Sequence, residues 1–477
     1  MKKIYFYILF ACGATIFASC NDFLNEYPKD LGYVLNTSDL DELLIGEGYM
    51  PATTGTDLDY WLQIMDDDAL FTTTNTQRLP YVDFYWWEPD VNTESAWTVL
   101  YKRIGVTNSI LGKIDDFSAE GDDYRKVKGE ALFLRAAYYY FLTNLYGFPY
   151  RTESANTDPG VPIKISEVIE DKRFTRNTVL ECYDRIVTDL QTSIACLKGL
   201  PVTSPFRGNE WAARHLLSRV YLYLNNWQES VNQCDTIIQS RRFMMLDFTT
   251  FGVVGTVNAV YADSPETIFT NGSFTIRGTS WMMLGTPKFT MSAELYSLYD
   301  ADDLRKTYYF RGMGAAYLEP QKWANVPTSK GSDFFIFRFP EVYLNRAEAM
   351  AMLGKDQEAR DDIQLLRATR YRSGTLPTLS LSGEELIHFI RDERRRELSF
   401  EGQRWFDLRR YAVSPKWPFQ KEIRHAYYEY ATVSGDMVLK RYDEEPEYYV
   451  LPLPESEISL NAGAMRQNPP RAVKEAQ

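Results

Sequence analysis

Three stretches of the chain gather large aromatic side chains beside hydrogen-bonding groups. Arg78, Tyr81, Tyr85, Trp86 and Trp87 form the first. Trp281, with Met282 and Met283 beside it, forms the second, and Tyr317, Gln321, Trp323 and Asn325 form the third. A flat ring offers apolar area to a ligand with an apolar face, and guanidinium, amide and phenol groups satisfy hydroxyls. These residues are therefore the candidate ligand-binding set. Trp281 and Trp323 are the expected surface platforms, with Trp86 and Trp87 next. Trp97 and Trp405 lie inside helical patterns and are assigned to the core.

Bond-breaking chemistry has less support. No HExxH, GxSxG or P-loop pattern occurs. His215, His388 and His425 are the only histidines, and none has a neighbour of its kind. A glycosidase needs two carboxyls roughly 5–10 Å apart, a geometry that the sequence leaves open. A surface glycoside hydrolase is thus the alternative reading, and a non-catalytic binder is the expectation. Asp66, Asp67 and Asp68 follow Trp61 as an acid cluster. They lack the ligand spacing of an EF-hand loop, so neither a metal nor another cofactor is expected. Cys182, Cys196 and Cys234 sit in apolar helical patterns without CxxC spacing, as buried thiols do.

The N-terminus has its own chemistry. Lys2 and Lys3 precede an apolar run at 4–17, followed by Ala18, Ser19 and Cys20. Residues 1–19 read as a secretory signal peptide. The run is shorter than the roughly 20 residues of a membrane span. Ala-Ser-Cys resembles a bacterial lipobox, which implies that Cys20 becomes the acylated first residue of the mature chain. Two acyl chains hold a protein stably on a membrane. The 477 residues are 45% apolar and 25% charged with a net charge of −13. That composition is globular, and its acidity makes nucleic acid an unsuitable partner.

The elements that would position these groups are mostly helical. Residues 122–146 repeat Ala131, Leu134, Tyr138, Phe141 and Leu145 at three- and four-residue spacing, and Gly147 and Pro149 end the run. Residues 211–238 break near Leu224–Trp227, and 340–370 break at Gly354 and Lys355. Ser218 and Ala347, Tyr221 and Met350, and Ser230 and Ala359 occupy matching offsets in those two runs. Small residues there let antiparallel helices approach, which resembles the tetratricopeptide pattern. The 122–146 helix is the first half of another such unit, with 178–197 as its partner. Residues 51–96 and 247–335 lack a sustained helical period and are expected to be functional loops or small extra elements. Residues 437–442 and 447–452 read as short strands. Ser382 to Glu385 reads as a capping box that opens a charged helix through 411. Glu393, Arg394, Glu397, Glu401, Arg404, Asp407 and Arg409 alternate in sign along it. Such alternation suits a solvated face, but the helix is expected to be structural, with Glu397, Glu401 and Arg404 paired to groups in the body.

Five landmarks carry a family resemblance. The run 391–411 resembles the C-terminal hallmark of the SusD/RagB family. Leu453 to Ile458 with Asn461 and Gln467-Asn468-Pro469 is similar to its closing segment, and 20–28 to its opening. Gly129 to Ala136 with Gly147-Phe148-Pro149 resembles its first repeat helix, and Trp97, Tyr101, Ile104 and Asn108 the helix before it. The resemblance implies a mainly α, SusD-like helical body of tetratricopeptide-like pairs with loop-rich insertions and a few short β-hairpins. It implies an N-terminal region at 20–240 and a C-terminal region at 241–477, packed as one body. It further implies a surface-exposed, lipid-anchored outer-membrane protein that binds glycan for nutrient uptake beside a SusC-like TonB-dependent transporter. A repeat scaffold that binds only protein is the weaker alternative. The family's ligand surface draws on one early and one later stretch, comparable to those holding Trp86 and Trp281.

Overall fold

The computed structural model describes residues 34–51, 57–72, 81–117, 121–252, 257–272, 288–312, 318–323, 331–429 and 432–477. In chain order the principal elements begin with α1 (Thr37–Leu43), α2 (Asp57–Ile64), β1 (Ala69–Thr72), α3 (Val82–Tyr85), α4 (Glu94–Lys113) and α5 (Asp122–Tyr146). Then come α6 (Val179–Leu197), α7 (Glu210–Tyr223), α8 (Trp227–Gln239), β2 (Thr267–Thr270), β3 (Lys288–Met291), β4 (Phe310–Gly312), β5 (Leu318–Pro320) and β6 (Ile336–Arg338). The chain closes with α9 (Phe339–Met352), α10 (Asp356–Ala368), α11 (Gly383–Leu398), α12 (Arg404–Ala412), β7 (Ile423–Glu429), β8 (Thr432–Leu439) and α13 (Glu455–Leu460).

The body is mainly α, and strands occur as the antiparallel pairs β1–β3, β2–β6, β4–β5 and β7–β8 among the described residues. Helices α5 and α6, α7 and α8, and α9 and α10 form the three expected pairs, with α11 packed on α9. The small residues act as predicted. Ser230 donates its hydroxyl to the Ser218 carbonyl at 2.9 Å, and Asn345 reaches Ser218 Oγ at 3.0 Å. Neither bond could form across a bulky side chain. The main hydrophobic cluster runs from Leu40 to Met465. Cys182 and Cys234 are buried, and Cys196 is half-buried.

Three local expectations are corrected. The charged run is two helices, because Phe400 and Gly402 take left-handed φ of 59° and 68° between them. A Cβ at Gly402 would lie 3.0 Å from Phe334 Cβ, so the corner requires glycine. Ser382 caps α11 without a side-chain bond; the Gly383 amide is taken by Asp356 Oδ2 at 2.9 Å instead. Residues 437–439 do lie in a strand, but they pair with β7. Pro446–Tyr449 is a short 3-10 helix.

The charges of α11 and α12 face inward. Glu397 Oε1 accepts from Arg338 at 3.0 Å, Arg370 at 3.1 Å and Tyr309 at 2.9 Å, and Oε2 accepts from Arg305 at 3.2 Å. Glu401 accepts from Lys322 at 2.8 Å and Arg338 Nε at 3.0 Å. Arg394 joins Asp407 at 2.8 Å and Glu341 at 2.9 Å. Burial alone would raise the Glu397 carboxyl, but three guanidiniums hold it well below its ordinary range. A buried charge is tolerable only when paired and hydrogen-bonded in this way. The alternating signs therefore cross-link helices and do not face solvent.

Candidate functional site

The early insertion, α2 to α3, builds an aromatic double layer. Trp61 and Phe84 stack with centroids 4.3 Å apart and planes 15° apart, and both are buried. Tyr60 and Tyr81 stack at 4.8 Å and 26°, and both are only partly buried. Adjacent helical residues point about 100° apart, so Tyr60 reaches the rim while Trp61 enters the core. Tyr81 holds φ at 66°. An L-residue with a large side chain pays for that conformation, so its surroundings must hold it there. Tyr60 and Tyr81 each keep part of their surface exposed.

Behind this surface the segment is fastened to the body. The His425 ring lies between Tyr85, at 3.8 Å and 5°, and Trp87, at 4.2 Å and 17°. Its two nitrogens face the carbonyl oxygens of Tyr85 and Asp66. Burial brings His425 down to about 4, although both carbonyls favour its protonated form. Trp87 Nε1 donates to the Met65 carbonyl at 3.0 Å, and Trp86 Nε1 donates to Ala426 at 3.1 Å.

Asp66, Asp67 and Asp68 bring carboxylate oxygens within 4.8 Å of one another. Their charge is spent on the protein's own cations. Arg404 grips Asp67 at 2.7 and 3.0 Å, Lys421 reaches Asp67 at 2.7 Å, and Arg395 holds Asp68 at 2.6 Å. Burial opposes ionisation of Asp67, yet Arg395, Arg404 and Lys421 keep it well below the usual carboxylate range. Among the described residues no cation pairs directly with Asp66, and burial with two acidic neighbours pushes it well above, against a lesser pull from Arg404. The cluster joins the aromatic segment to α11 and α12.

The placement of the expected platform residues needs correction. Trp86 and Trp87 are 6% and 1% exposed, and Tyr85 is fully buried. They wedge the insertion onto β7 and offer no free face. Trp323 is 3% exposed. Its segment is anchored by Gln321, which donates to the Phe310 carbonyl at 2.6 Å, and by Lys322 against Glu401. Tyr81 alone of the described candidates is only partly buried. Cys20, Arg78, Trp281, Met282, Met283, Tyr317 and Asn325 lie outside the described residues. Tyr60 was missed from the sequence. Its signal was its place beside Trp61 in a segment lacking a sustained helical period.

Comparison with known proteins covers both halves of the chain. Residues 298–470 match the family model described as SusD family, and residues 37–222 match one described as "Starch-binding associating with outer membrane". A SusD-like protein of Formosa agariphila is 24% identical over 450 residues, covering 83% of this chain and 84% of that protein. A second from the same organism is 22% identical, covering 96% of each. A SusD superfamily protein from Bacteroides thetaiotaomicron superposes with a TM-score of 0.71 at 22% identity, over 91% of this chain and 100% of that one. A SusD-like carbohydrate binding protein from Bacteroides vulgatus gives 0.69 at 19% identity, over 90% and 97%. At such identities the superpositions establish the fold.

Proposed function

This chain belongs to the SusD family, and from that premise we propose that it captures glycan at the outer face of an outer membrane and delivers it to a SusC-like TonB-dependent transporter. The observation that carries the reading is the partly open Tyr60–Tyr81 stack, set within the stretch that matches the starch-binding, outer-membrane-associating model. Relatives named as carbohydrate binding support the ligand class. No helix among the described residues is long and apolar enough to cross a membrane. Attachment is assigned to an acylated Cys20, and the transporter is the assigned partner.

No catalytic role is assigned. The buried carboxylates of Asp67, Glu341, Glu397 and Asp407 are engaged by guanidiniums. A general acid needs a carboxyl that is raised and also reaches the ligand. Asp66 is raised but buried beneath the aromatic layer.

The test is incubation of purified protein with a panel of glycans. Retention of at least one glycan without new reducing ends is expected. New reducing ends would make it a hydrolase, and retention of none would remove the glycan reading. For the anchor, Cys20→Ala protein should leave the membrane fraction in cells that lack the transporter.

A further inference from the structure

A groove lies at the other end of the β7–β8 hairpin, where α5, the α7–α8 turn and α12 end. Its volume is about 650 Å³, within the roughly 300–1,000 Å³ typical of small-ligand sites. Phe148 and Tyr442 line it, with Asn225, Val413 and Ser414 beside them. Phe148 is only partly buried at this lining.

Both walls are built before any ligand arrives. Arg151 is fixed by Asp158 at 3.0 Å, and the Ala155 amide turns back to the Arg151 carbonyl at 2.8 Å. Opposite, the Phe419 amide donates to Tyr411 at 2.9 Å, and Gln420 Oε1 accepts from the Asp443 amide at 2.9 Å. Hydrogen-bonding capacity is left over. The Thr152, Glu153 and Asn225 side chains make no hydrogen bond among the described residues, and Gln420 keeps its amide donor.

This lining selects a class of ligand. Pro415, Pro418 and Pro446 have no N–H, so the wall gives no ladder for an extended peptide. Glu153 repels anions, while Arg151 and Asp443 are already paired, with Asp158 and Arg441. Aromatic faces beside unspent amide, hydroxyl and carboxylate groups fit a neutral polyol with apolar faces.

We propose that this groove is a second carbohydrate-binding site, taking neutral sugar units of the same glycan that the Tyr60–Tyr81 surface holds. The inference rests on the glycan-capture reading above. Strand β7 spans seven residues, or roughly 20 Å at about 3.3 Å per residue. Phe71 and Trp86 pack on its turn half through Tyr428 and Tyr427, whereas Gln420 precedes its first residue. The insertion that carries Tyr60 and Tyr81 is thus fastened to one half of β7 and the groove lies before its other end, and linked binding of one polysaccharide chain at both would multiply retention.

The experiment starts from the neutral oligosaccharide that binds tightest on an array of plant, fungal and bacterial glycans. Calorimetry should find two equivalents on wild type and one on Thr152→Trp, which fills the groove from an exposed position. Affinity electrophoresis in the parent polysaccharide should show retention weakened about a hundredfold. The double variant Glu153→Ala/Gln420→Ala, which changes only polar groups, should also lose the second equivalent and decides the matter if Thr152→Trp fails to fold. One equivalent on wild type, or two on every folded variant, overturns the proposal and leaves the Tyr60–Tyr81 site standing. Unchanged glycan binding with loss of transporter co-purification makes the groove a protein-docking face and overturns it equally. Failure of every glycan to bind wild type removes both this site and the function on which it rests.

Discussion

Arg404 closes two hydrogen bonds on Asp67, at 2.7 and 3.0 Å, across 337 positions of sequence. The pair is buried and joins α12 to the turn beneath the aromatic insertion. Removing one partner strands a desolvated charge, which costs roughly 3–5 kcal/mol. Arg404→Ala should therefore melt well below wild type while its folded fraction keeps the same glycan preference. Wild-type melting with lost binding would reassign Arg404 to the ligand.

His425 predicts an acid-side loss of stability. Above pH 6.5 the imidazole is neutral in both folded and unfolded chains. Below that the unfolded chain takes the proton first, because burial holds the folded value down to about 4. Stability should fall with pH across that window and flatten below it, by about 3 kcal/mol in total. Urea titrations of wild type and His425→Gln at pH 7, 5.5 and 4 read the effect. Parallel slopes in the two proteins would mean that His425 does not contribute.

Gly129 tests the helix pairing. Alanine would gain about 1 kcal/mol of helix propensity. A Cβ there, however, would lie 2.5 Å from Leu197 Cγ and 3.1 Å from Cys196 Cβ. Overpacking of that kind costs about 1–3 kcal/mol. Gly129→Ala is expected to lower the melting temperature. A rise would show that α5 and α6 separate without penalty.

Tyr81 and Trp87 should behave oppositely. Tyr81→Gly removes a partly open ring and places at φ 66° a residue that accepts it. Losing such an anchor costs ~1–2 kcal/mol of binding, about tenfold in affinity. Melting should stay near wild type. Trp87→Ala empties a buried site between His425 and Met65 and should cost about 3–5 kcal/mol of stability. If Tyr81→Gly binds as wild type, the stacked tyrosines are not the platform.

Much of the helical body was legible in the sequence. The 122–146 helix, its partner up to Leu197, and the breaks at 224–227 and 354–355 all follow from periodicity, Gly/Pro stops and small-residue offsets. Those signals are local, because a turn of helix is made by residues three and four apart. The family, too, was legible in short runs of sequence. Burial of the aromatics was not. Trp86, Trp87 and Trp323 have the same composition around them as a surface platform would, and only contacts with β7, His425 and the Lys322 segment place them inside. The charged run 391–411 points to pairing of Glu397, Glu401 and Arg404 with the body, but not to the groups they pair with. Its partners, Asp67, Arg305, Arg338 and Arg370, come from distant segments. Sequence thus determined where the helices begin, end and pair. Tertiary structure decided which charges are desolvated and which rings stay open, because burial depends on the rest of the chain folding over a residue.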